Sequence, residues 1–164
     1  INSGDNIILD AGTTTAQIAK NIKNKRDLTV ITNAVNIALE LSNCREIITI
    51  LTGGIIREIT NCLVGSQAEE FLSKIHVDKT FLAAGGVTIE EGLTNPNPFE
   101  VGVKKAMIEA AKEVILMVAH NKFGNVALTP IAPIEAVHKI ITDDRVSQEE
   151  MKWFQKKGIE VIVA

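Results

Sequence analysis

The chain has few aromatic residues and few cysteines, and these shortages narrow what it can do. Aromatic residues make up 4% of its 164 residues and tyrosine is absent, so stacking platforms for single-stranded nucleic acids are not expected. The net charge of −3 argues against a broad face that neutralises DNA phosphates. Cys44 and Cys62 form no CxxC pair, so we interpret both as buried, reduced thiols in a reducing compartment.

Long apolar segments are also missing. No run approaches the roughly 20 residues of a membrane span and no signal peptide is visible, so we expect a cytoplasmic protein without membrane contact. The three histidines are scattered without ligand spacing, so neither a metal site nor a cofactor is predicted. A hydrophobic fraction of 46%, mostly aliphatic, is enough for one domain with a full core.

Short apolar runs alternate with helical patterns along the chain. The runs are Ile7–Leu9, Val30–Ile31, Ile47–Leu51, Phe81–Ala84, Val114–Val118, Ile140–Ile141 and Val161–Val163. Continuous β-branched runs predict strands that are buried on both faces. The alternation therefore predicts an α/β fold, with a mostly parallel sheet and helices on both of its faces.

Capping signals mark three helix starts and one helix end. Ser66, Asn97 and Ser147 each precede a glutamate at the third helical position, which is typical of an N-cap. Pro98 would occupy the first helical position, where its missing N–H costs nothing. Gly158 is typical of a helix end.

Polar or glycine-rich segments follow the first four predicted strands. They contain Asp10, Gly12, Thr13, Thr14 and Thr15, then Thr32 and Asn33, then Gly53 and Gly54, and finally Gly85 and Gly86. Since ligands bind beyond the carboxyl ends of parallel strands, we expect these segments to form one cradle. The unpaired N–H groups of a helix starting after Gly12 would attract a phosphate. Capping and tight turns remain the alternative explanation of each segment taken singly.

Candidate cations for an anionic ligand lie at three places. Lys122 directly follows a predicted strand and could meet a phosphate as a point charge, and Arg57 follows the double glycine. Lys104 and Lys105 share one helix, whose phase leaves at least one of them facing solvent.

Glu100 could be an acid–base group or only a capping acid. No nucleophile elbow, catalytic triad or metal cluster is evident, so the sequence gives no positive sign of catalysis.

Nine short motifs occur in a distinctive order along nearly the whole chain. They are Asp10-x-Gly12-Thr13-Thr14, Thr32-Asn33-Ala34, Leu51-Thr52-Gly53-Gly54 followed by Arg57, Gly65-x-x-Ala68, Asp78-x-x-Phe81, Gly92-Leu93-Thr94, Val103-Lys104-Lys105-Ala106-Met107, Lys122-Phe123-Gly124 and Ile141-Thr142-Asp143. In this order the chain resembles the C-terminal, effector-sensing domain of DeoR-type transcriptional repressors of bacterial sugar metabolism.

The resemblance implies the fold shared by ribose-5-phosphate isomerase, glucosamine-6-phosphate deaminase and the CoA transferases. It implies a phosphorylated sugar or related intermediate as effector, and a homo-oligomer that binds symmetric operators. Residues 1–164 would form one sensing domain, and the helix-turn-helix DNA-binding domain that precedes it in such repressors is absent from a chain beginning at Ile1. The matching pocket positions are Asp10, Gly12, Thr13, Thr14, Thr32, Asn33, Gly53, Gly54, Glu100, Lys104 and Lys122. Ala119 departs from the pattern, because the family usually carries an aspartate three residues before the lysine.

Two other functions remain open from the sequence. One is a sugar-phosphate isomerase or deaminase, because fold alone does not decide between sensing and catalysis. The other is a structural oligomerisation domain with a vestigial pocket. The order of the motifs favours a sensing domain without enzymatic activity, whose ligand must bind two conformational states unequally.

Overall fold

A seven-stranded parallel sheet organises the computed structural model, which describes residues 1–164. The elements are β1 (Asn6–Leu9), α1 (Thr13–Asn21), β2 (Leu28–Thr32), α2 (Val35–Leu41), β3 (Ile47–Leu51), β4 (Ile55–Arg57), β5 (Cys62–Val64), α3 (Ser66–Leu72), β6 (Val77–Ala83), β7 (Gly86–Thr88), β8 (Gly92–Asn95), α4 (Pro98–Ala110), β9 (Ala111–Met117), β10 (Thr129–Ala132), β11 (Lys139–Thr142), α5 (Gln148–Lys156) and β12 (Glu160–Val163). The strand order in the main sheet is β12-β11-β9-β6-β1-β2-β3. All seven predicted strands are confirmed, and every neighbouring pair is parallel.

Helices cover both faces of this sheet, as the sequence predicts. Ile7 and Leu9 of β1 belong to the core under α1 and α2, whereas Ile8 belongs to the core under α3, α4 and α5. This division follows from the two-residue period of a strand, which sends successive side chains to opposite faces. No helix is long and apolar enough to cross a membrane.

The edge strand β3 corrects the prediction that every apolar run is buried on both faces. Its Ile48 is 65% exposed and its Leu51 is 43% exposed, and Leu39 on the neighbouring α2 is 68% exposed. Burial on both faces holds for strands inside a parallel sheet, which two helical layers cover. At the edge of the sheet the chain leaves apolar side chains in solvent.

Two of the three predicted helix caps are confirmed. The Ser147 hydroxyl accepts from Glu150 N at 3.1 Å, and the Glu150 carboxylate accepts from Ser147 N at 3.0 Å. The Asn97 side chain accepts from Phe99 N at 2.9 Å, and Pro98 is the first helical residue. These caps satisfy N–H groups that the first helical turn leaves without partners.

The start of α3 differs from the prediction. Ser66 is the first helical residue rather than the cap, and Gly65 takes the capping position with φ +101°. A glycine adopts that conformation without steric cost, which moves the boundary by one residue. At the other end of the chain, Gly158 follows α5 with φ +81°, as predicted for a helix end.

Two small antiparallel sheets are not predicted by the sequence. One is the hairpin of β4 and β5, and the other has the order β10-β8-β7. Their strands have three or four residues, too few to establish a period.

The prediction that both cysteines are buried also needs correction: Cys62 is buried, but Cys44 is only half-buried.

Candidate functional site

The predicted strand-end segments lie at one edge of the main sheet. Asp10 and Thr52 directly follow β1 and β3, and Thr32 is the last residue of β2. The segments after β6 and β9 begin at the same edge, because all five strands are parallel. This edge is where ligands bind in open α/β folds.

The N-terminus of α1 opens to solvent at this edge. Gly12 is its N-cap residue, no side chain caps it, and the first intrahelical bond is donated by Ala16 N to Gly12 O at 3.0 Å. The N–H groups of Thr13, Thr14 and Thr15 therefore have no partner within the helix. A Cβ atom at position 12 would lie 3.1 Å from Ala83 Cβ and 3.1 Å from the Thr15 hydroxyl oxygen, so only glycine fits easily.

A buried ion pair lies beneath this turn. Asp10 is 1% exposed and Lys104 is 3% exposed, and Lys104 Nζ donates to Asp10 Oδ2 and, at 2.9 Å, to Ala83 O. The Asp10 carboxylate also accepts from Ala11 N at 2.8 Å and from Ala83 N at 3.0 Å. The pair thus fastens the loop after β1 to the end of β6, and Lys105 is the exposed lysine of the two on α4.

Three further predicted residues are buried below the loops. Thr15 Oγ1 donates to Asp10 O at 2.6 Å, and Thr32 Oγ1 donates to Leu9 O at 2.6 Å. The Asn33 side-chain oxygen accepts from Ala11 N at 3.1 Å. Protein atoms cover all three side chains, and their hydrogen bonds hold these loops in place.

The β4–β5 hairpin folds back over this edge from the double glycine. Gly53 has φ +76° and Gly54 has φ +113°, and a Cβ on Gly54 would approach Val64 O to 2.5 Å. Asn33 O accepts from Leu63 N at 2.7 Å, which fixes the hairpin against the loop after β2. Both glycines therefore have a structural role in the turn.

A polar cluster joins the hairpin to α4. Arg57 Nη1 lies 2.6 Å from Glu100 Oε1, and Asn95 Nδ2 donates to Glu100 Oε2 at 3.1 Å. Thr60 Oγ1 donates to the same carboxylate at 3.3 Å and lies 2.9 Å from Cys62 Sγ. Burial raises the pKa of the Cys62 thiol. Glu100 is thus an ion-pair partner of the hairpin rather than a capping acid.

A cleft of 410 Å³ lies between the start of α1 and the tip of the hairpin. Its lining residues are Ala11, Gly12, Thr13, Ala16, Gln17, Asn36, Ile59, Thr60 and Asn61. None of the nine carries a charge, and all except Gly12 and Thr13 are missing from the predicted site residues and motifs. No local pattern in the sequence distinguishes the polar or apolar surface residues among them, which are Gln17, Asn36, Ile59, Thr60 and Asn61.

The remaining predicted residues lie outside this cleft. A Cβ on Gly85 would be 2.4 Å from Pro96 Cδ, and one on Gly86 would be 2.2 Å from Asn125 O, so packing accounts for both glycines. Lys122 is half-buried in a short 3-10 helix, His120–Lys122, that follows β9.

His120 has an acidic partner near the unusual Ala119. The Asp143 carboxylate accepts from His120 N at 2.8 Å and lies 3.1 Å from His120 Nδ1. The His120 backbone N–H is the main cause that holds the pKa of Asp143 well below its usual range. An aspartate thus lies in this region although position 119 lacks one.

A second groove of 380 Å³ lies on the other side of α1. Its twelve lining residues include Thr14 and Ala119, and seven of them are hydrophobic. Its apolar walls suit an anion less well than the polar cleft beside Thr13 does.

Proteins similar to this chain in sequence include bacterial transcriptional regulators. The chain is 40% identical over 161 residues to the HTH-type transcriptional regulator YulB of Bacillus subtilis, covering 98% of this chain and 62% of that protein. It is 36% identical over 163 residues to the HTH-type transcriptional repressor GlcR of the same organism, covering 99% and 62%. It is 31% identical to a putative aga operon transcriptional repressor of Escherichia coli, covering 99% and 61%. The chain thus spans about three fifths of the length of these relatives.

Solved structures share the fold at low identity. Ribose 5-phosphate isomerase from Plasmodium falciparum matches with a TM-score of 0.52 and 13% identity, over 75% of this chain and 46% of that one. The Methanocaldococcus jannaschii enzyme matches with a TM-score of 0.51 and 17% identity, over 75% and 48%. These similarities confirm the predicted isomerase-like fold.

A family model described as the DeoR C terminal sensor domain matches residues 1–144. This match agrees with the motif order and with the similarity to bacterial regulators. The chain belongs to the DeoR C-terminal sensor domain family.

Proposed function

We propose that this chain is the effector-binding domain of a cytoplasmic, DeoR-type transcriptional regulator and that it binds a phosphorylated sugar or related intermediate. The open N-terminus of α1 beside an uncharged polar cleft is the observation that carries the proposal. The regulator would bind operator DNA through a helix-turn-helix domain outside residues 1–164, and effector binding would change the affinity of that domain for DNA.

The start of α1 is the proposed phosphate site. The N–H groups of Thr13 and Thr14 point out of the helix end, and the helix dipole favours an anion there. Gly12 lets the loop pass close to β6, where a side chain would crowd Ala83. A cleft of 410 Å³ falls in the size range of small-molecule sites.

Lys122 supplies a positive charge for this phosphate. It follows β9 at the same edge of the sheet, and it takes part in no ion pair of the structure, whereas Lys104 is neutralised by Asp10. Arg57 approaches from the hairpin but is held by Glu100. Unlike Lys104 and Arg57, Lys122 is therefore free of an ion pair and available to a ligand.

Catalysis is the weaker alternative. Sugar-phosphate isomerisation or deamination needs a general acid or base within reach of the substrate, and the nine residues of the cleft include neither. The regulators that the chain resembles also favour sensing over turnover. Steady conversion of a sugar phosphate by the purified chain would contradict this choice.

The test is calorimetric titration with sugar phosphates and their unphosphorylated counterparts. The wild-type chain should prefer the phosphorylated forms. Lys122→Ala removes one charge-assisted contact, so its affinity should fall by about one to two orders of magnitude. Without ligand, its free energy of unfolding should change by less than about 0.5 kcal/mol.

Lys105→Ala is the matched control, because Lys105 is exposed on α4 and should leave affinity unchanged. If Lys122→Ala binds every compound as the wild type does, the phosphate site is elsewhere. If the wild type shows no preference for phosphorylated compounds, the proposed function is wrong. A thermal-shift survey that finds no ligand at all would favour a structural oligomerisation domain.

A further inference from the structure

We infer that the side-chain amides of Gln17, Asn36 and Asn61 bind the hydroxyl groups of the effector, so that the cleft selects phosphates with a polyhydroxylated body. This inference rests on the proposed function and assigns the part of the cleft beyond the phosphate. The three amides come from α1, α2 and the β4–β5 hairpin, and all three line the same cleft.

The hairpin is held in position for this role. Asn61 O accepts from Val35 N at 3.0 Å, which places Asn61 beside the start of α2 and next to Asn36. Asn61 has φ +50°, a left-handed conformation that asparagine tolerates better than most residues. Thr60, one residue earlier, is bonded to Glu100, so the hairpin tip is fixed from the opposite side as well.

The chemistry of these side chains suits neutral hydroxyl groups. Each amide offers one acceptor oxygen and two N–H donors, and each hydroxyl both donates and accepts. All three side chains are exposed, so they exchange bonds to water for bonds to a ligand. The absence of a carboxylate from the lining avoids repulsion of a phosphorylated compound.

The cleft also has an apolar side. Ala16 and Ile59 line it together with the amides, and Ile59 is largely exposed. A sugar carries C–H groups as well as hydroxyls, so contact with Ile59 would remove apolar surface of both partners from water. An alkyl phosphate has no hydroxyl groups for the amides but can make the apolar contact. Its affinity therefore measures the apolar contribution without the contribution of hydrogen bonds to hydroxyl groups.

The test compares Asn36→Ala and Asn61→Gly with the wild type by calorimetry. Glycine at position 61 keeps the left-handed backbone while removing the amide. The probes are ribose 5-phosphate, glucose 6-phosphate, fructose 6-phosphate and ethyl phosphate, which has no hydroxyl on its carbon chain. The control is Asn24→Ala, which removes an exposed amide outside the cleft.

We expect the wild type to bind at least one sugar phosphate about tenfold or more tightly than ethyl phosphate. Each variant should lose about five- to tenfold in affinity for that sugar phosphate, as for removal of one or two neutral hydrogen bonds, with little loss for ethyl phosphate. Asn24→Ala should behave as the wild type. Unchanged thermal midpoints would show that the variants fold.

The outcomes separate the two proposals. If the wild type prefers sugar phosphates and both amide variants keep the full preference, the inference is wrong while the proposed function stands. The same holds if the wild type binds ethyl phosphate as tightly as the sugar phosphates. If the wild type binds no phosphorylated compound, the proposed function fails and the inference fails with it.

Discussion

At the scale of single residues, the buried ion pair of Lys104 and Asp10 supports the loop at the candidate site. Removing one member of a buried ion pair leaves the other charge without compensation, which typically costs 3–5 kcal/mol. We therefore expect Lys104→Met to lower the free energy of unfolding by about that amount, measured by urea denaturation. It should also loosen the loop after β1, which the pair fastens to β6.

Lys105→Met is the matched control for this prediction. Lys105 is the next residue on α4 and is exposed, so its replacement should cost less than about 0.5 kcal/mol. The double variant Asp10→Asn with Lys104→Met should recover part of the loss, because the two residues are in contact. A Lys104→Met variant as stable as the wild type would contradict a structural role of the pair.

The lowered pKa of Asp143 predicts that this residue contributes to stability in a pH-dependent way. Its pKa is lowered in the folded chain, chiefly by the hydrogen bond from His120 N. A lowered pKa contributes stability that is present above the unfolded value, near 3.9, and is lost as the pH falls through the folded value. Asp143→Asn should therefore be less stable than the wild type at pH 7, and the difference should shrink below about pH 4.

Denaturant titrations at pH 7 and at pH 3 measure this difference. Asp144→Asn serves as the control, because Asp144 is exposed and should show a small difference at both values. An Asp143→Asn variant whose loss of stability is the same at pH 3 as at pH 7 would refute a role for the Asp143 charge.

At the scale of an element, the start of α1 depends on the small size of Gly12. Valine at this position would bring its branched side chain against Ala83 and Thr15, whose atoms already lie 3.1 Å from an added Cβ. Overpacking of this kind typically costs 1–3 kcal/mol. Gly12→Val should therefore lower both the free energy of unfolding and the affinity for phosphorylated ligands, unlike Lys122→Ala, which should lower affinity alone.

Gly12→Ala provides the graded comparison. Its single methyl group requires a shift of only a few tenths of an ångström, so both losses should be smaller than those of valine. Calorimetry and urea denaturation on the same preparations give the two quantities. Equal binding by Gly12→Val and the wild type would place the phosphate away from this turn.

At the scale of the whole molecule, the exposed edge strand β3 suggests where copies of the chain meet. The strand β3 has the uncharged sequence Ile-Ile-Thr-Ile-Leu, and no lysine or proline blocks pairing at its free side. We expect a homo-oligomer with β3 in the interface. Ile48→Lys should then shift the chain toward the monomer in sedimentation at high micromolar concentration.

Leu128→Lys is the control, because Leu128 is equally apolar and even more exposed but lies in the segment before β10. It should leave the oligomeric state unchanged. A wild-type chain that is strictly monomeric at high micromolar concentration would contradict the prediction.

Local sequence signals predicted most of the fold. The run Ile7–Leu9 followed by Asp10 and Gly12 places a buried strand and a turn within a few residues, so its structure depends on neighbours in the chain. The capping box at Ser147 is local in the same way. The β4–β5 hairpin was not predicted, because its three-residue strands are stabilised by contacts with Asn33 and Glu100, which are distant in sequence.

The sequence by itself determined the alternation of the seven main-sheet strands with helices and the common edge of the strand-end segments, because periodicity and capping are properties of neighbouring residues. The order of its short motifs also determined the family resemblance. Only the tertiary structure decided that Lys104 is buried against Asp10 while Lys105 is exposed. Only it brought Gln17, Asn36 and Asn61 into one cleft. Those outcomes depend on how α1, α2, α4 and the hairpin pack, and packing joins residues that no local pattern relates.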